Sequence, residues 1–467
     1  MDKFSPFEKP VSELEIGDLT RLREIPEGWY IEYKRQFASV ASTAKSISAF
    51  ANTYGGWLFY GVEGNDNGDR TALSFPGIPL EDLPNLEQWI RQATSTYVSP
   101  TPHFELKVLR GPDDRVGLSD NRAIVVIQVP FGNNAPYVHG SGRIYRRIAD
   151  SSDPTPETDR HFLDLLWQRG RSSRRKFSKF IRREPNVSEA EKNTSYVKLF
   201  LFVDLRQERD IRSRLDFKSF STLMADESAE SGGIPFNNIF PSSTGFIARQ
   251  TLNNNPALQV FTWRYYRDCT SEITIPINSA SIDSYSALSI FLDGYDQAES
   301  FVALCRARGM NSGWLIDLSQ LFSLLICIMK RTWKLLEAEN LTWPLFFKAQ
   351  LSGIWRRVPF IDLRELIQFG EDNGIPIVQD ETCFAPTGVE PDSCIKLIDL
   401  QNEQIDWEGA RMIDACVLIA CIGEALGIPQ HVLGFDSDAP ADTLTRMLNL
   451  GTRAIEVTRR RPNQYRA

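Results

Sequence analysis

No apolar run in this sequence approaches the roughly 20 residues that a membrane-spanning helix needs. The longest, LFSLLICIM and ACVLIACIG, fit buried helices. Histidine is scarce, at 4 residues, and none of the 7 cysteines stands with a partner at a zinc-site spacing. A G-x-x-x-x-G-K-[ST] segment is missing, so nothing supports ATP binding through a P-loop. The opening residues, MDKFSPFEKP, lack the basic-then-apolar pattern of a signal peptide. An odd cysteine count, with several thiols inside apolar runs, reads as reduced core cysteine. The expected location is therefore the cytoplasm, with no membrane partner. Internal repeats and low-complexity tracts are also missing.

Net positive charge is lacking too, since the whole chain carries −8. Its distribution is uneven. Residues 1–183 hold 25 Lys and Arg against 23 Asp and Glu, whereas the remainder holds 27 against 37. Such asymmetry hints at a nucleic-acid-facing half joined to an acidic one. At 467 residues the chain exceeds one ordinary core. The division expected is a domain over 1–168, a basic linker over 169–186, and an acidic α/β domain over 187–467 as a sensor or partner-docking part.

The basic stretch RGRSSRRKFSKFIRREPN runs from Arg169 to Asn186 without an acid until Glu184. It reads either as a solvated linker or helix end, or as phosphate contact through Arg174, Arg175, Lys176 and their neighbours. Pro185 marks a boundary. Before it, SVASTAKSISAFAN has a helical stripe of Val40, Ala44, Ile47 and Ala51, and NTYGG supplies turn chemistry. WLFYGV, FELKVL, RAIVVIQVP and RIYRRI read as strands, NLEQWIRQATSTYV and DRHFLDLLWQRG as helices. After it, SYVKLFLFVDL is a strand, and ALQVFTWRYY with SEITIPI a hairpin or meander. SGWLIDLSQLFSLLICIMKRTWKLLEAEN is expected to form one long helix, and ACVLIACIGEALGIP another. Helices and strands intermix, so the class is α+β (mixed α/β).

One short strand, EGWYIEYK, concentrates charge. Alternation places Tyr30, Glu32 and Lys34 on one face and Trp29, Ile31 and Tyr33 on the other. The second set is the core face, and the first would be open. A bend allowed by Pro26 and Gly28 would let Glu27 approach Glu32. The group is either a solvated strand face or a working constellation. On the late strand, Arg143, Tyr145 and Arg147 share a face, suited to backbone contact and base stacking or to ordinary exposed sheet charge.

Taken in order, Glu27-x4-Glu32-Tyr-Lys34, then SISAFANTYGGWLFYGV, then GRIYRRIADSSDPTP resemble the Schlafen AlbA_2 family over about residues 20–160. The resemblance implies a sheet-and-helix module that binds nucleic acid, either DNA or structured RNA, followed here by a second α/β domain. Some members of the family are metal-dependent endoribonucleases that cut tRNA or rRNA with three carboxylates. Two of these match Glu27 and Glu32. The third falls on Gly64, with Glu63 or Asp66 as the nearest substitutes. Oxygen ligands of this kind suit Mg²⁺ or Mn²⁺, and Lys34 would offset phosphate charge nearby. Arg35, Arg143, Tyr145 and Arg147 complete the expected nucleic-acid contacts. The readings carried forward are a DNA or RNA binder, a metal-dependent endoribonuclease acting on tRNA or similar RNA, and a module for protein interaction or homo-oligomer formation.

Overall fold

The eight residues RAIVVIQV carry the first sheet, because an unbroken apolar run can be covered on both faces. In the computed structural model, which describes residues 4–65, 69–148, 153–184, 188–209, 211–228, 233–251, 260–341, 345–397, 407–434 and 440–461, the class is mixed α+β, as expected. The chain divides into two compact units, 1–176 with 206–210, and 177–205 with 211–467.

The first unit begins with β1 (Ile31–Lys34), α1 (Val40–Asn52), β2 (Gly56–Tyr60), β3 (Glu63–Gly64), β4 (Ala72–Ser74) and β5 (Ile78–Pro79). It continues with α2 (Leu86–Tyr97), β6 (Val98–Ser99), β7 (Glu105–Arg110), β8 (Arg122–Val129), β9 (Val138–His139), β10 (Tyr145–Arg146), β11 (Thr155–Pro156) and α3 (Arg160–Ile181), of which residues 160–176 belong to this unit. The main sheet has the order β1-β2-β8-β5, with β7 also paired to β8. β1 runs parallel to β2, with Glu32 opposite Leu58, while β8 is antiparallel to β2. Alternation along β8 sends Val125 and Ile127 into a core with Ala44, Ile47 and Phe50 of α1. Ile124 and Val126 enter a second core with Ile31, Tyr33, Leu19 and Leu22. Both faces of the sheet are thus covered, and β1 has no open side.

α1 starts at Ser39, whose side chain accepts the Ser42 N–H, relieving one of the helix's orphan donors. It ends at the NTYGG turn, where Gly55 has φ +77°. A Cβ there would lie 2.8 Å from Phe131 N and from Val129 O, so only glycine fits. The basic run is helical through Ile181, continuous with the closing helix as α3. The boundary assigned to Pro185 lies outside the described residues.

The second unit holds β12 (Ser195–Phe202), α4 (Phe217–Ala225), β13 (Asn238–Ser242), β14 (Gly245–Arg249), β15 (Thr262–Tyr266), β16 (Ser271–Ile282), α5 (Tyr285–Leu292) and α6 (Ala298–Ala307). After these come β17 (Gly313–Asp317), α7 (Leu321–Ala338), β18 (Phe346–Ser352), β19 (Arg357–Phe360), α8 (Arg364–Asn373), β20 (Thr382–Ala385), β21 (Ile395–Lys396), α9 (Trp407–Ala425), α10 (Gln430–Leu433) and α11 (Pro440–Arg460). β12 is buried throughout, antiparallel to β16 on one side and β18 on the other. β15 and β16 form the expected antiparallel pair.

The single long helix expected from Ser312 is corrected. GWLID is β17, antiparallel to β16 and parallel to β19, and α7 starts only at Leu321. The Asp317 carboxylate accepts the Ser319 N–H at 3.0 Å, a local turn that interrupts the run. The other Asp317 oxygen holds Arg461 at 2.6 Å and the Tyr295 hydroxyl at 2.6 Å. The Arg461 guanidinium also lies 3.9 Å from the Phe291 ring centre. This buried pair anchors the end of the last helix.

Candidate nucleic-acid interface

Glu32 is fully buried, which corrects the open face expected for it. α1 crosses above this side of β1, because the parallel β1-α1-β2 connection must pack back on the sheet. A buried carboxylate requires partners, and Glu32 has three. Ser46 of α1 donates to Oε1 at 3.0 Å, and Lys34 Nζ lies 3.2 Å from the same oxygen. Arg147 donates to Oε2 at 2.9 Å.

Arg147 and Tyr145 are likewise buried, so the Arg-and-Tyr stacking surface expected of them does not form. The strand expected over RIYRRI shrinks to Tyr145–Arg146, and Arg147 turns inward behind it. Its guanidinium donates to the Gly28 carbonyl at 2.9 and 3.2 Å and to that of Ile31 at 3.2 Å. It lies 5.0 Å from the Phe50 ring centre. Five donors in a rigid fork suit this junction of β1, α1 and the late loop better than lysine would. Arg143 is exposed, whereas Arg146 is tied to Glu157 at 2.7 Å.

Glu27 is partly buried and accepts the Tyr33 N–H at 2.6 Å. Burial pushes its carboxyl above the usual range and the Glu32 charge adds to that, against the Tyr33 N–H, Lys34 and Arg147. Burial pulls the Lys34 ammonium down, but Glu32 and then Asp153, 3.3 Å away, outweigh it and raise its pKa.

The position facing Glu27 from β3 is Gly64, where a Cβ would lie 3.7 Å from the Glu27 carboxyl. Glu63, its neighbour, is taken up by Arg35 at 2.9 Å and Ser74 at 2.8 Å. Asp66 lies outside the described residues. Among the described residues no group of three or more His, Cys, Asp or Glu could hold a metal ion. The donors among the described residues do not fit Mg²⁺ or Mn²⁺. The Glu32 oxygens already serve two cations and a hydroxyl, and the residue facing Glu27 from β3 is glycine. Gly64→Asp is expected to set a second carboxylate beside Glu27, lowering the melting temperature at neutral pH. Millimolar Mn²⁺ should restore it in the variant while leaving the parent unmoved, as thermal denaturation would read.

Two contacts were not foreseen. Asn52 reads in the sequence as a helix stop, but its amide donates to the carbonyls of Tyr137 at 2.8 Å and Tyr145 at 3.0 Å. Its oxygen accepts the Tyr137 N–H at 2.8 Å. Arg169, part of the basic run, turns in to donate to the Asn52 carbonyl at 2.6 Å and lies 4.1 Å from the Phe131 ring centre. Burial pushes its pKa down to about 10. The only hint of either role is position, at the end of α1 and at the start of the run.

The accessible cations are elsewhere. Arg35 is exposed but paired with Glu63. Arg171, Arg174, Arg175 and Lys176 are exposed on α3, whose buried residues include Leu166, Gly170 and Phe177. The structure thus gathers Glu32, Lys34 and Arg147 into one network, leaves Glu27 on the Tyr33 amide, and sets Arg174, Arg175 and Lys176 on a separate surface.

Residues 27–156 match the family described as Schlafen, AlbA_2. Among solved structures, the DIP2311 protein from Corynebacterium diphtheriae is 19% identical over 29% of this chain and 26% of its own, with a TM-score of 0.20. The chain thus spans about a quarter of that protein. The N-terminal domain of a RecG-related ATP-dependent DNA helicase protein from Nitrosomonas europaea is 22% identical over 32% of this chain and 97% of its own, with a TM-score of 0.23. No curated protein matches.

Proposed function

We propose that this chain, which carries a Schlafen AlbA_2 domain over residues 27–156, binds DNA or structured RNA through its first unit without cutting it. The observation that favours binding over cleavage is the state of Glu32, sealed from solvent and held by Arg147 and Lys34. A carboxylate so engaged braces the module. Affinity would come from exposed cations on α3, which release condensed counterions when they meet phosphates.

Binding of the full chain to duplex DNA and to tRNA, followed across salt concentrations, tests this. The logarithm of affinity should fall linearly with the logarithm of salt. Replacing Arg174, Arg175 and Lys176 by alanine should weaken binding to every sequence alike and flatten that slope by up to about 3 units on duplex. Binding that is missing at low salt, or indifferent to it, would end the proposal. Incubation with tRNA and Mn²⁺ addresses the alternative, a metal-dependent endoribonuclease. Discrete fragments that disappear in Glu27→Ala would replace binding with cleavage. If nucleic acid is ignored and a tight oligomer forms instead, a protein-interaction module becomes the better account.

A further inference from the structure

Trp167 has no reason from folding to lie where it does. It is 48% exposed on α3, while Leu166, Gly170 and Phe177 make the helix's buried stripe. With Asp164, Gln168 and Arg171 it lines a surface recess of ≈ 270 Å³. These four residues recur at helical spacing, so they share one face. Continuing that face toward the C-terminus gives Arg174 and Arg175, both exposed. The three arginines lie about one and two turns along the helix from the indole. Leu165, also exposed, projects from a different side.

We infer that this face of α3, from Trp167 to Arg175, is a track for unpaired nucleic acid, with the Trp167 indole stacking on a base and Arg171, Arg174 and Arg175 holding the phosphates that follow. The inference rests on the nucleic-acid-binding reading above and adds to it a preference for single strands. Each part has its own physical ground. An accessible aromatic ring offers a base a sequence-tolerant stacking surface that a paired base in a duplex does not need. Clustered arginines beside it, with a single acid in the recess, suit a polyanion, since each guanidinium that meets a phosphate releases condensed counterions. The one acid in the recess, Asp164, sits a turn before the indole with Arg160 3.9 Å away, so it closes one end of the track and leaves the arginine side cationic.

The test uses the full chain, with fluorescence anisotropy of labelled oligo(dT), oligo(U) and a duplex of matched length. Trp167→Ala should weaken binding to both single strands about tenfold, leave duplex binding within twofold, and keep the salt slope unchanged. Trp167→Phe should recover most of the loss, since a ring is restored. Because half of the side chain is exposed, the melting temperature should barely move, and it is measured to show that the variants are folded. A silent Trp167→Ala, or equal losses on single strands and duplex, would overturn the stacking assignment while leaving salt-dependent binding in place. Failure of the parent chain to bind any of the three at low salt would overturn both readings together.

Discussion

Arg147→Ala is expected to destabilise the first unit by about 3–5 kcal/mol, the usual cost of removing one partner from a buried charge pair. Arg147 and Glu32 each have fully buried side chains. With the guanidinium gone, the Gly28 and Ile31 carbonyls lose the donors that Arg147 gives them, and a void opens beside the Phe50 ring. Lys34 keeps its contact with Glu32, which tempers the loss without supplying a second cation. In a unit of this size the melting temperature should drop by roughly 10 °C. Arg147→Lys should recover only part of it, because an ammonium cannot reach Glu32 and the backbone carbonyls at once. A shift of less than a degree or two in Arg147→Ala would mean that the network does not brace the module.

Asp317→Asn should cost the second unit a similar amount, about 3–5 kcal/mol. The substitution keeps the shape and the hydrogen bond from Ser319 N–H but removes the charge opposite Arg461. The guanidinium keeps the Phe291 carbonyl at 3.2 Å and the Phe291 ring but loses the Asp317 charge, in a buried place where water compensates little. Pairing the change with Arg461→Met should give back part of the loss, since removing both charges leaves no buried cation without its anion. A double-mutant cycle in urea denaturation measures the coupling directly. Additive effects of the two changes would show that the pair does not tie the last helix down.

The sequence made visible what depends on short-range pattern. Continuous apolar runs became β2, β8 and β12, the stripe of Ala44, Ile47 and Ala51 faced a core, and Gly55 took the left-handed turn that NTYGG requires. The ordered blocks around Glu27, Asn52 and Tyr145 were enough to suggest the family. Period-two alternation sorted Ile31 to Lys34 correctly but misplaced Tyr30, which lies before the strand and packs on the core of Ile31 and Tyr33, and it could not say what lies over each face. Glu32 therefore read as open, although α1 covers it. Arg147 read as a surface charge for the same reason, since its partner stands 115 positions earlier in the chain. GWLID read as helix because periodicity cannot separate a short apolar strand from the helix that follows it, and only its pairing with β16 and β19 decides.

Asn52 has a consequence for motion. β9 and β10 are two residues long, and so short a ladder would ordinarily let nearby amides exchange their hydrogens with solvent readily. The Tyr137 amide, however, donates to the Asn52 side chain at the end of α1. Its exchange should wait for that end of the helix to open, so Tyr137 should be protected nearly as long as Val126 in the middle of β8, a slow amide in a loop that otherwise looks fast.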